Sequence, residues 1–366
     1  MIESCDSGSL PLIGNERTFL EGAASPRISG EESTIYFRRR VVESFLDKVE
    51  AGIDVPSYPQ FRDMNQMFLK MIDGVEKSRD GYVETGVFSL KAGNRRIPEV
   101  LAIEESSHEI HERLNEVFRL RVCVTGPYTL SALFPYRDTM IFARLGDIIS
   151  RIVENNIFNG KYGSVALVAV DEPTFGLVDD HLIDHGSEGR KNLRKAWDSI
   201  FRKASSKDLH TCLHLHNTAD RLFWDVPSLN IIESHVDDSL YHARRTGELL
   251  ESTDKFLKAS LCITDFDKLI RSRIVADSKQ ELSESLVNQR VAKAWKDIAH
   301  ERLDIRIFLE DEGIMEKRLN RVIKRFGEER ISYAGPECGL KSFPSYESAL
   351  EVLRRVSKAT KKLQDK

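Results

Sequence analysis

Short apolar runs alternate with longer stretches whose apolar positions recur every three or four residues. The runs are Leu10–Ile13, Val55–Tyr58, Leu120–Val124, Val165–Val170, His210–Leu215, Leu229–Ile232, Ser260–Ile263 and Ile331–Ala334. Several are β-branched and nearly continuous in apolar character, as expected of strands covered on both faces. Between them, Ile35–Val49, Ile141–Ile157, Gly189–Ala204 and Tyr346–Leu363 carry helical periodicity. Eight strand candidates separated by helical stretches predict an α/β fold, a (β/α)8 TIM-like barrel. One domain is expected over 1–366, with 1–9 as a short N-terminal extension. Gly81–Leu90 and Val100–Ile103 are closely spaced apolar pieces and predict a β-hairpin inserted after strand 2, at about 80–104. In such a barrel the working residues sit where the strands end.

Composition narrows the class. The chain has 366 residues, 41% of them hydrophobic and 31% charged, which excludes a disordered or collagen-like chain. Val165–Val170 is the longest apolar run, far short of a membrane span. The formal net charge of -4 gives nucleic acid no electrostatic attraction. The basic stretch Arg354–Lys366 reads as the solvated end of a helix. Five widely spaced cysteines in a chain of this size predict free thiols and a cytoplasmic setting. The first residues carry acids and no apolar signal core, which fits the same location.

The predicted strand ends hold the candidate chemistry. In Cys212-Leu213-His214-Leu215-His216, alternation places Cys212, His214 and His216 on one face and the leucines on the other. Glu233 ends the neighbouring run, and Cys338 follows the last one. His214, His216, Glu233 and Cys338 together offer nitrogen, oxygen and sulfur donors, a set suited to Zn2+. The same spacing also serves two histidines that only make hydrogen bonds. Asp171-Glu172-Pro173 ends another run. The polar loop Val178–Arg190 reads as a surface loop on the same side, with a lid as the alternative.

Four segments carry a resemblance: Val124–Phe134 (VTGPYTLSALF), Val168–Gly176 (VAVDEPTFG), His214–His216 with Ile231–Ser234, and Ala334–Leu353 (AGPECGLKSFPSYESALEVL). In this order they resemble the catalytic C-terminal barrel of the cobalamin-independent methionine synthase family. The likeness is to its short archaeal-type form. The superfamily includes uroporphyrinogen decarboxylase and the methylcobamide:coenzyme M methyltransferases. The resemblance implies a zinc ion that activates a thiol, most plainly homocysteine, for methylation to methionine.

Carried over position by position, the resemblance makes His214, His216, Glu233 and Cys338 the metal ligands, with His216 replacing a family cysteine. Cys212 and His235 are the reserves. Asp171 falls on the acid that meets the substrate's amino group, with Glu172 beside it. Asn15 replaces a family serine, and Gln60 falls near a family glutamate, so substrate recognition departs from the pattern. A family histidine that protonates a departing tetrahydrofolate falls near Asp265. That loss fits a methylcorrinoid donor, protein-bound or free, whose leaving group needs no proton. Methyl-tetrahydropterin is the rival donor. The other readings are a coenzyme M methyltransferase, a barrel decarboxylase, and a non-catalytic protein that binds a corrinoid or a thiol.

Overall fold

The computed structural model describes residues 1–26, 30–93, 95–278 and 280–362. Nine strands are present among them: β1 (Glu3–Ser4), β2 (Ile72–Ser78), β3 (Gly81–Leu90), β4 (Phe118–Thr125), β5 (Gly163–Glu172), β6 (His210–Leu215), β7 (Ile231–Glu233), β8 (Phe256–Cys262) and β9 (Ile331–Pro336). Seven form a curled parallel sheet in the order β1-β9-β8-β7-β6-β5-β4. Its strands are almost wholly buried, as their apolar runs require. Residues 55–60 bond to both edges of this sheet: the Val55 and Gln60 amides donate to Ser4 and Gly8, and the Tyr58 and Arg121 amides to Arg121 and Pro56.

Helices cover the outside. Helix Glu188–Ser205 buries Leu193, Trp197, Ile200 and Phe201, a stripe at three- and four-residue spacing. Helix Tyr346–Lys361 starts with a capping box in which Ser345 and Ser348 satisfy each other's amides. The basic stretch from Arg354 to Lys361 lies in this helix, whereas Leu363, its expected end, and residues 364–366 lie outside the described residues. No described helix is long and apolar enough to cross a membrane.

Three expectations are corrected. The first strand is Glu3–Ser4, which pairs in parallel with β9, so the expected 1–9 extension is part of the sheet and Leu10–Ile13 lies beyond it. Apolarity misled here, because Ser4 is fully buried through hydrogen bonds to Asp54. Val100–Ile103 belongs to helix Pro98–Glu105, where proline sits at a position that needs no amide donor. β3 pairs antiparallel with β2, so the two-stranded element spans 72–90. Asn94, inside the expected insertion, lies outside the described residues.

Candidate metal and substrate site

β6 carries Cys212 and His214 inward, His216 follows directly after its last residue, and Leu213 and Leu215 pack outward, fully buried. His214 pairs with Glu233 in the β6–β7 register. His235 follows two residues after β7 ends, and its ring reaches the same cluster. Cys338 lies two residues beyond β9. Ligand-capable atoms of His214, His216, His235 and Cys338 all lie within 4.8 Å of one another. Cys338 Sγ is 3.7 Å from His216 Nε2, and the His216 and His235 ring centres are 4.0 Å apart.

Of the expected ligands, the structure brings together His214, His216 and Cys338. Glu233 is engaged elsewhere. It is fully buried, with Arg121 Nη1 at 3.2 Å and Lys258 Nζ at 2.6 Å. Burial raises its pKa, but the two cations outweigh that and hold it well below the usual carboxylate range. It pairs with His214, one layer below His216, and its cationic partners come from β4 and β8. Sequence spacing shows the acid at the strand end but not the cations that claim it. His235, one of the two reserves, completes the cluster. Cys212, the other, is wholly buried beneath it, and burial raises its thiol.

The donor set fits a metal ion. Neither ring nitrogen of His214 has a hydrogen-bond partner, nor does His235 Nε2, although all three atoms are buried. Buried nitrogen without a partner is costly, and a cation coordinated by one ring nitrogen of His214 and by His235 Nε2 would satisfy two of these atoms. His214 Nδ1 approaches Glu233 Oε1 at 3.2 Å. Burial pulls the His214 pKa down, but the neighbouring Cys338 and Glu233 overturn that and raise it to about 10. Burial also pushes the Cys338 thiol up, yet the three imidazoles hold it well below its ordinary value. A thiolate among imidazoles is the form that binds soft divalent metals.

Glu337 is a positioning residue that the sequence reading missed. Its buried carboxylate accepts from Val236 N at 2.9 Å and Thr264 N at 3.0 Å. One side chain thus ties together the chain next to His235, the end of β8 and the residue before Cys338. The signal was an acid directly preceding the cysteine in an otherwise apolar run. Gly339 is fixed by space: a Cβ there would lie 1.9 Å from Ser9 Oγ.

Asp171 and Glu172 end β5 and point to opposite faces. Asp171 lines a pocket of about 220 Å³ together with Ser9, Gln60, His214, His216 and Cys338. Its Oδ1 is buried without a hydrogen-bond partner, and burial raises its pKa to about 6. Glu172 turns outward and accepts from Tyr128 N, Thr129 N and Trp197 Nε1 at 3.0, 2.7 and 2.8 Å. It locks the helix covering β5 and does not line the pocket. A Cβ on Gly126 would sit 2.2 Å from this carboxylate, which explains the glycine of the TGP segment.

Gln60 reaches the pocket, held by its Nε2 bond to Tyr58 Oη at 2.7 Å. Asn15 and Asp265 do not line it. Both are exposed helix N-caps, accepting from Thr18 N and Lys268 N. Their residue types suit either role, and only the position of the helix starts distinguishes them.

Among solved structures, the chain is similar to a B12-independent methionine synthase from Shewanella sp. W3-18-1, in complex with selenomethionine. The TM-score is 0.60 at 15% identity, over 100% of this chain and 98% of that one. It is also similar to a Listeria monocytogenes protein described as a candidate vitamin-B12-independent methionine synthase. There the TM-score is 0.56 at 12% identity, over 99% of each. The shared fold is the finding. No family model and no curated protein matches the chain.

Proposed function

We propose that the protein is a zinc-dependent methyltransferase that moves a methyl group onto a thiol, with homocysteine as acceptor and methionine as product. The observation that carries this reading is the convergence of three imidazoles and one thiol, with orphaned buried nitrogens, on a pocket that also presents an unpartnered carboxylate. We read the fold as a (β/α)8 barrel with 55–60 as its second strand, because that segment bonds to both edges of the sheet. The fold shared with methionine synthase structures supports both readings.

His214, His216, His235 and Cys338 would hold the zinc. When bound, zinc lowers a thiol's pKa so that its sulfur is deprotonated at neutral pH. Asp171 meets the ammonium of an amino-acid thiol: its free Oδ1 gains a cationic partner and the buried ammonium gains a counter-charge. Gln60 offers a neutral amide to the same ligand. Glu233, fixed by Arg121 and Lys258, supports His214 from below.

The donor we favour is a methylcorrinoid. The substrate sulfur forms its bond to the methyl carbon as the carbon–cobalt bond breaks, and both electrons leave with cobalt. That departure needs no proton, whereas a tetrahydropterin nitrogen needs a general acid. Asp265, where the resemblance puts that acid, is an exposed helix cap away from the pocket. Incubation of the zinc-loaded protein with homocysteine and either methylcobalamin or methyl-tetrahydrofolate tests the reading, with methionine followed by mass spectrometry. Methionine from methylcobalamin alone is the expected result. Methionine from neither donor overturns the proposal.

A further inference from the structure

Besides the cluster itself, four acidic or basic side chains line the metal pocket: Arg62, Asp63, Asp171 and Lys341. Two of them are spoken for. Arg62 pairs with the buried Glu99 through Nε at 2.7 Å and Nη2 at 2.6 Å. Asp63 Oδ1 accepts from the amides of Asn65 and Gln66 at 3.1 and 2.8 Å. The other two are not. Asp171 Oδ1 is buried with no hydrogen-bond partner. Lys341 forms no ion pair with any described residue, and its Nζ donates to the carbonyl of Phe61 at 3.0 Å. An ammonium has three donors, so two stay uncommitted.

The chain fixes where Lys341 stands. It is the third residue after Cys338, on a turn held at both ends: Leu340 N donates to Ser9 O at 2.8 Å and Phe343 N to Leu340 O at 3.0 Å. Ser9 lines the pocket, and Phe61 directly follows Gln60, which lines it too. The backbone under Lys341 is thus tied to the segments that wall the pocket. Lys341 is exposed and also borders an adjoining groove with Arg62 and Asp63, so its ammonium stands at the open end. Asp171 and His214 are buried. One free carboxylate and one free ammonium facing the same volume suit a zwitterion, because each charge gains its counter-charge. That volume, about 220 Å³, is below the ~300–1,000 Å³ of sites for drug-sized ligands, so the ligand is small.

We propose that Lys341 is a specificity-determining residue of the acceptor site: it takes the carboxylate of the thiol, while Asp171 takes the ammonium and the metal takes the sulfur. The acceptor class is then a small thiol that bears both an amino and a carboxylate group. The assignment rests on the methyltransferase reading, but it concerns binding and is measurable without a methyl donor. A thiol without the carboxylate loses the Lys341 contact alone, and a thiol without the amino group loses the Asp171 contact alone.

The test is calorimetric titration of the full zinc-loaded chain with homocysteine, 3-aminopropanethiol (no carboxylate) and 4-mercaptobutanoate (no amino group), on the wild type and on Lys341→Met. The wild type should bind homocysteine at least about tenfold more tightly than 3-aminopropanethiol. Lys341→Met should lose that margin. Homocysteine and 4-mercaptobutanoate should each weaken by at least about tenfold, while 3-aminopropanethiol binds as before. Lys341 is exposed and gives up one hydrogen bond, so zinc content and thermal unfolding should match the wild type. Equal binding of homocysteine and 3-aminopropanethiol by the wild type, an unchanged margin in the variant, or equal weakening of all three thiols (a general disturbance of the pocket) overturns the assignment and leaves the methyltransferase reading standing. Thiols that bind as expected, with no methionine formed from any donor, contradict the methyltransferase reading and leave the role of Lys341 standing. A wild type that binds none of the three overturns both.

Discussion

Lys258 Nζ lies 2.6 Å from Glu233 Oε2, and neither side chain has any exposure. With Arg121 on the other side, Glu233 is held between two cations beneath the histidine cluster. A carboxylate so engaged is a support for the site, and this is where the structure departs most from the ligand set that the sequence suggests.

Glu233→Gln should therefore leave about one zinc per chain while destabilising the fold by roughly 3–5 kcal/mol, because Arg121 and Lys258 stay buried without their counter-charge. Urea denaturation and metal analysis on the same samples check this. A folded Glu233→Gln protein that has lost its zinc would show that the glutamate is a ligand after all.

His235→Ala, His214→Ala and Cys338→Ser each remove a donor from the cluster. Zinc affinity should fall by more than about 100-fold in each, beyond the effect of losing a supporting residue. Competition with a chelating dye measures it. Full affinity in His235→Ala would remove that residue from the set. Glu337→Ala should give an intermediate loss of about 10–100-fold, since it only positions the backbone beside His235 and Cys338.

Asp171→Asn replaces the unpartnered carboxylate with a neutral amide. The KM for homocysteine should rise about 10- to 150-fold, the worth of a charge-assisted bond of roughly 1.5–3 kcal/mol. The variant should also lose its preference for homocysteine over 4-mercaptobutanoate, which lacks the amino group. An unchanged preference would place the ammonium elsewhere.

Burial raises the pKa of Glu172 from an ordinary 4.5 to about 7. The folded state therefore holds this proton more tightly than the unfolded chain does. The cost of ionising it is absent below about pH 4.5, grows through the window between the two values, and is complete above about pH 7. Stability should drop by on the order of 3 kcal/mol across that window from this group. Glu172→Gln should flatten the slope. Parallel slopes for wild type and variant, from denaturation at several pH values, would refute the assignment.

The sequence made β4 through β9 legible because each is a compact apolar run, and His214, His216 and Cys338 because alternation and strand-end position are local properties. Ser4, buried through polar contacts, hid the first strand. His235 could be named only as a reserve, since its selection over Glu233 depends on Arg121 and Lys258, which lie 112 positions before and 25 after that glutamate. Asn15 and Asp265 show the same limit: a polar residue before a helical run reads equally as a cap or as a catalytic group.

X-ray absorption at the zinc edge, on the purified protein with and without homocysteine, tests the central claim most directly. About one zinc per chain with three nitrogen donors and one sulfur is expected, with an additional sulfur when homocysteine is present. A protein that binds no zinc, or whose zinc environment does not change with homocysteine, would contradict it.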